Sequence, residues 1–170
     1  DVIADHAVEN IFNWYYWFSN RTEHPQTGWN AMSIYNGNAV GGDSSIKEGG
    51  TSGLELKPGS SSDASLAWVA PSDGPAVVTG MPNLNAMYDE TLGGVWCKVL
   101  LNGEKIWPSG VSNGTDQGAW PSETYAMGTN VRLDEEWGVF LRYDTLQSYT
   151  LNLELDLKQG DVLQFVTHKE

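Results

Sequence analysis

Residues 94–108 read GVWCKVLLNGEKIWP, and their reading decides the fold. Val95, Cys97, Val99 and Leu101 alternate with Trp96, Lys98 and Leu100, the period of a strand with one apolar and one mixed face. Asn102-Gly103 follows, and Asn-Gly supplies the positive φ angles of a type I′ hairpin turn. Trp96 is the discordant residue. It shares a face with Lys98, on the side where a strand usually meets water.

The same pattern recurs along the chain. Residues 12–19, FNWYYWFS, set Phe12, Trp14, Tyr16 and Phe18 against Asn13, Tyr15, Trp17 and Ser19. WNAMSIYN (29–36) reads as a strand, 37–52 as a Gly/Ser loop, GLELK (53–57) as a strand and PGSSSD (58–63) as a loop. SLAWVAP (65–71) and AVVTGM (76–81) flank the turn SDGP, which predicts a hairpin over 65–81. A polar loop spans 109–130, and WGVFLRYD (137–144) is a strand. YTLNLELDLK (149–158) has the cleanest alternation, and VLQFVT (162–167) closes the chain after a Gln-Gly-Asp turn. Only 5–12, with Asp5 as N-cap, suits a turn or two of helix. Nine or ten short strands without βαβ alternation predict an all-β antiparallel β-sandwich, with a jelly roll as the expected topology. No linker or repeat divides the chain, so 1–170 is expected to be a single domain.

Composition bounds the function. Nine Lys and Arg against 22 Asp and Glu leave a net charge of −13, which argues against nucleic acid or an anionic membrane as partner. A neutral ligand is not repelled. No run approaches the roughly 18 apolar residues of a membrane span. The chain has neither an initiator Met nor a signal-like apolar region, so it reads as a domain of something larger, with any export signal outside it. Cys97, the single cysteine, reads as a buried small hydrophobe rather than a nucleophile. Eight Trp and seven Tyr are a heavy aromatic load for a loop-rich β protein, and they suggest a use beyond the core.

Three stretches, AWVAPSDGPAVVTG, GGVWCKVLLNGEKIWP and LKQGDVLQFVT, resemble in that order a β-sandwich domain of large secreted bacterial glycoside hydrolases and polysaccharide lyases. Its members tend to show Trp-x-Ala-Pro-x-x-Gly, a Gly-Val strand entering Leu-Asn-Gly, an Ile-Trp-Pro, and a closing Gly-Asp-x-Ile-x-Phe-Val. The likeness covers about 65–108 and 151–167, a little over a third of the chain, and the N-terminal aromatic strand matches more loosely. The resemblance implies a carbohydrate-binding module, most similar to xylan-binding modules of gut bacterial xylanases. It also implies a bacterial source, an extracellular or cell-surface location, and an attached catalytic domain. The chain departs from the pattern in its long 109–136 insertion and in Trp96, whose position is usually polar in the family.

The chemistry of such a module rests on aromatics. A pyranose face stacked on an indole removes on the order of 100 Å² of apolar area from water, worth about 2–3 kcal/mol. Two or three platforms plus hydrogen bonds give roughly −5 to −8 kcal/mol, micromolar to sub-millimolar. Alternation places Phe12, Trp14, Tyr16 and Phe18 in the core and makes Tyr15 and Trp17 candidates on the opposite face. Trp96, beside Lys98, Trp120, in the polar loop, and Trp137, on the face of Val139 and Leu141, are the other candidate platforms. Trp68 and Trp107 read more simply as packing residues. Asp116, Gln117, Asn130 and Arg142 lie near these aromatics in sequence and are suited to bond hydroxyls at a ring edge. Each residue of this kind is more often an ordinary surface residue.

Catalysis has no comparable signature. No acid lies in an apolar run where burial raises a pKa, the histidines His6, His24 and His168 are isolated, and no nucleophile elbow or phosphate loop occurs. The chain is therefore expected not to be an enzyme and to need no cofactor. Calcium in a structural role suits the Asp-rich loops, with Asp43, Asp73, Asp89, Asp116 and Asp161 as ligands of no distinctive spacing. Asn20-Arg21-Thr22 and Asn113-Gly114-Thr115 fit the glycosylation acceptor pattern, a coincidence in a bacterial protein. The expected function is non-catalytic binding of plant cell-wall polysaccharide, xylan first, with no membrane insertion. The alternatives are a structural or interaction spacer without glycan binding and, further off, a small glycoside hydrolase or polysaccharide lyase.

Overall fold

The computed structural model describes residues 13–20, 28–36, 38–48, 53–80, 82, 94–108, 133–134, 137–141 and 151–169. The elements among them are all strands: β1 (Trp14–Asn20), β2 (Trp29–Ala31), β3 (Ser33–Tyr35), β4 (Asn38–Gly41), β5 (Ser44–Glu48), β6 (Leu54–Lys57) and β7 (Ser62–Val69) in the first part. β8 (Gly74–Gly80), β9 (Val95–Leu101), β10 (Glu104–Trp107), β11 (Leu133–Asp134), β12 (Gly138–Leu141), β13 (Leu151–Leu157) and β14 (Val162–Lys169) follow. The expected helix at 5–12 and the loop 109–130 lie outside the described residues.

One large sheet runs β11-β12-β9-β14-β7-β1-β2, with β10 also paired to β9. Its inner face carries two apolar clusters. Cys97, Val99, Val139, Leu141 and Leu163 pack against Val78, Leu153 and Leu155 of the two-stranded sheet β13-β8. Tyr16, Ala64 and Leu66 pack against Ala39, Ile46, Leu54 and Leu56 of the four-stranded sheet β3-β4-β5-β6. Phe165 touches both clusters. All strand pairs are antiparallel, so the architecture is an all-β sandwich whose second layer is made of two small sheets.

The opening hairpin forms as expected. Asn102 (φ 52°) and Gly103 (φ 88°) turn β9 into β10, and Glu104 pairs with Leu101. The closing motif locks onto this turn. Asn102 donates its amide to Asp161 at 2.9 Å, Val162 N–H donates to Asn102 Oδ1 at 2.9 Å, and Asn102 N–H donates to Val162 O at 2.8 Å. The Leu-Asn-Gly and Gly-Asp signatures are thus two halves of one hydrogen-bonded joint.

The expected 65–81 hairpin does not form. β7 pairs with β1 and β14, whereas β8 pairs with β13, so Pro71–Pro75 crosses from one layer to the other. Pro71 and Pro75 both lack the N–H that a hairpin ladder needs beside its turn. Residues 29–35 cross as well: β2 edges the large sheet, β3 edges the four-stranded one, and Met32 is buried between them. The stretch 37–52 contains a hairpin, β4-β5, rather than only a loop. Its glycine content reflects packing. A Cβ on Gly41 would lie 2.1 Å from a Phe18 ring carbon, so the glycine lets that ring rest on the backbone.

Candidate functional site

The outer face of the large sheet differs in kind from its inner face. Register carries the alternation from strand to strand and sorts the side chains into rows. Tyr15, Ala67, Gln164 and Leu100 form one row across β1, β7, β14 and β9. Trp17, Ser65, Val166 and Lys98 form the next, and Ser19, Asp63, His168, Trp96 and Phe140 the third. Trp29 extends the third row at the edge, opposite Ser19.

This face is largely buried, and much of it is polar. Ser19, Asp63 and Ser65 are 0% exposed, Gln164 5% and Lys98 8%. Buried polar groups are costly unless bonded. His168 Nδ1 and Asp63 Oδ1 share a hydrogen bond of 2.8 Å. Gln164 donates to Ser65 Oγ at 3.4 Å. Trp137 stacks on the His168 ring with centroids 3.9 Å apart and planes at 19°, and Lys98 Nζ lies 5.1 Å from the Trp137 ring. Asp63, His168, Trp137 and Lys98 thus form one contiguous chain of contacts.

The expected site residues fall into four groups, of which Trp96 is the last. Tyr15 and Trp17 lie where alternation puts them, partly exposed, with ring centroids 6.0 Å apart at 39°. Trp137 is partly exposed but reaches the outer face, against its expected place beside Val139 and Leu141. Gly138 is the reason. Its φ of 94° turns the backbone just before β12, so alternation does not extend back to Trp137. Trp120, Asp116, Gln117, Asn130 and Arg142 lie outside the described residues.

Trp96 requires a correction. It is on the outer face as expected, but only 4% exposed, packed against Phe140 with ring centroids 4.8 Å apart. Both faces of β9 are buried, so Trp96 is a packing residue rather than an open platform. Trp107 is buried in the inner core.

Asp63, Ser65, Gln164, Lys98 and His168 were not singled out by the sequence. Asp63 was hidden in the PGSSSD run, which reads as loop although Ser62 and Asp63 begin β7. The alternation of Gln164, Val166 and His168 is the one available signal, and it assigns a face without a role.

Three of the loop aspartates considered for calcium hold backbone donors. Asp43 accepts from Ser60 N–H at 2.6 Å, Ser61 N–H at 2.9 Å, Ser60 Oγ at 2.7 Å and the Ser62 hydroxyl. Asp161 accepts from Lys158 N–H at 2.7 Å, and Asp73 from Gln159 N–H at 2.8 Å. Asp89 and Asp116 lie outside the described residues. Among the described residues, no three His, Cys, Asp or Glu side chains gather to hold a metal. Burial pushes the Asp43 carboxyl up, but the hydrogen bonds from Ser62, Ser60 and the Ser61 and Ser60 backbone outweigh it and hold the group well below the usual carboxylate range. Its stabilising contribution is therefore complete above about pH 4 and is lost as pH falls below that. Asp43→Asn is expected to flatten the acid side of a stability–pH profile followed by urea unfolding, and Asp43→Ala to cost about 1–2 kcal/mol at neutral pH.

Burial pushes the Cys97 thiol up to about 12. A disulfide reagent is expected to label Cys97 only at the rate of unfolding, and labelling complete within seconds in the native protein would contradict its burial.

No helix among the described residues is long and apolar enough to cross a membrane. Comparison with known proteins found no family model, no curated protein and no solved structure that matches the chain.

Proposed function

We propose that the chain is a non-catalytic carbohydrate-binding module. It attaches a linked hydrolase to plant cell-wall polysaccharide outside the cell, xylan being the first candidate. The observation that carries this reading is the Tyr15–Trp17 pair, partly exposed on a sheet face whose neighbouring positions hold buried polar side chains. Two adjacent aromatic rings open to solvent are the apolar stacking surface that the C–H face of a sugar ring requires. Trp17 and Lys98 stand in one row three strands apart, roughly 14 Å at about 4.8 Å per strand. Trp137 beside Lys98 is then a third partly exposed aromatic on the same face, at a separation suited to an extended oligosaccharide.

The burial of Trp96, Leu100 and Phe140 on that face favours the other reading, a spacer or interaction domain whose aromatics serve packing. Native affinity gels containing xylan, β-glucan, mannan or pectin separate the two. Retardation by a neutral polysaccharide, lost by about tenfold or more in affinity in Tyr15→Ala/Trp17→Ala, is the expected result, since each stacked ring contributes about 2–3 kcal/mol. Unretarded migration in every gel would leave the spacer reading standing. Release of reducing sugar from any of these polymers would instead indicate an enzyme.

A further inference from the structure

Two hairpin turns of this chain carry the same dipeptide. Asn36-Gly37 joins β3 to β4, with Tyr35 paired to Asn38 across it, and Asn102-Gly103 joins β9 to β10, with Leu101 paired to Glu104. Both asparagines are exposed, and both are left-handed, with φ of 49° and 52°. They differ in what the carboxamide does. Asn102 is tied to the start of β14 at both ends of its amide: Oδ1 accepts from Val162 N–H at 2.9 Å, and Nδ2 donates to Asp161 Oδ1 at 2.9 Å. At Asn36 the backbone carbonyl accepts from Asn38 Nδ2 at 3.4 Å, but the carboxamide itself has no hydrogen bond among the described residues. A third such pair, Asn113-Gly114, lies outside the described residues.

Asn-Gly has a chemistry of its own. The deprotonated glycine amide nitrogen attacks the asparagine Cγ. A C–N bond forms, the bond from Cγ to Nδ2 breaks, and ammonia leaves as a succinimide ring closes. Water then opens either ring carbonyl, leaving aspartate or isoaspartate. The balance is amide plus water to carboxylic acid plus ammonia, with no oxidant or reductant. Glycine favours the attack because no Cβ shields its nitrogen. The carboxamide must turn onto that nitrogen, and one bonded at both ends to β14 is held away from it. We propose that Asn36 is a site of spontaneous deamidation in the folded protein and that Asn102 is a second one, held shut by its hydrogen bonds to β14. The proposal is independent of the glycan reading. Two bonds of ordinary strength lower the fraction of time the Asn102 carboxamide is free by about tenfold or more. Conversion at Asn102 is also one-way. The new carboxylate only accepts, so donation to Asp161 is replaced by repulsion between two carboxylates, and the joint between the β9–β10 turn and β14 loses its donor.

The test is incubation of the full chain in mildly alkaline buffer, folded and in urea, with aspartate and isoaspartate at each position followed by peptide mapping and mass spectrometry. In the folded protein Asn36 is expected to convert about tenfold or more faster than Asn102, and in urea the two rates are expected to agree within about threefold. Asp161→Ala removes the acceptor of Nδ2 and is expected to raise the Asn102 rate by about threefold to tenfold, leaving Asn36 unchanged. The comparison of folded with urea-unfolded chains needs no variant, and it stands if Asp161→Ala folds poorly. Asn102→Asp is expected to lower the urea midpoint, and Asn36→Asp to leave it unchanged. Equal rates at Asn36 and Asn102 in the folded protein overturn the proposal. So does an Asn36 rate that folding suppresses as strongly as that of Asn102, or a folded Asp161→Ala protein whose Asn102 converts no faster than before. An unchanged urea midpoint in Asn102→Asp overturns the one-way loss of the joint.

Discussion

Trp96→Ala is expected to lower folding stability by about 3–5 kcal/mol, the range for truncating a large aromatic in a packed core. In a chain of 170 residues this lowers the melting temperature by about 6–20 °C. The argument is geometric. Trp96 is 4% exposed, meets Phe140 at 4.8 Å between ring centroids, and stands opposite His168 across β14. Truncation removes that contact and opens a void beside the Asp63–His168 pair. An open glycan platform would behave in the reverse way, losing ligand affinity with little change in stability. Urea unfolding of Trp96→Ala beside Trp17→Ala therefore distinguishes the two roles. A destabilisation below about 1 kcal/mol in Trp96→Ala would contradict its burial.

Gly138→Ala is the second large effect. The added Cβ would lie 2.3 Å from Cys97 O and 2.8 Å from Lys98 Cβ, at a φ of 94° that side chains rarely adopt. Overlap with a neighbouring backbone and left-handed strain each cost about 1–3 kcal/mol, so the expected loss is about 3–5 kcal/mol. Gly103→Ala is the control. Its φ of 88° is similar but nothing lies within 4 Å of the new Cβ, so only the strain remains, about 1–2 kcal/mol. Equal losses in the two variants, measured by thermal and urea unfolding, would show that the close approach at Gly138 has no consequence. Because Gly138 also directs Trp137 to the outer face, any folded Gly138→Ala protein is expected to show a shifted Trp137 indole resonance.

The strands were legible wherever one face was apolar and the other polar. Leu151, Leu153, Leu155 and Leu157 against Asn152, Glu154 and Asp156 is the plainest case, and β13 spans those residues. Pairing was legible only where a turn dictates it, as at Asn102-Gly103. SDGP looked like a comparable turn, yet the layer to which a strand belongs is set by contacts far along the chain, and β7 finds its partners in β1 and β14. The β4-β5 hairpin was hidden because Gly41 and its serine neighbours resemble loop composition, while the ring that demands the glycine, Phe18, lies more than twenty positions earlier. At the site, Tyr15 and Trp17 followed from alternation. The buried condition of the outer face did not, because a face with Lys98, Gln164 and His168 reads as solvated until its covering is known. Asp63 and His168 are 105 positions apart, and nothing in one sequence joins them.

β14 is the last strand of this sequence and sits between β9 and β7, inside the large sheet rather than at its edge. A ribosome delivers residues in order, so β7 and β9 are complete long before the strand that joins them leaves the exit tunnel. Until Lys169 is free, the sheet is two separate halves with exposed edges, and pairing must close over about a hundred residues. Folding of this chain is therefore expected to complete after translation of β14, and nascent chains halted before it should be held by chaperones or cut by proteases rather than accumulate as a native-like intermediate.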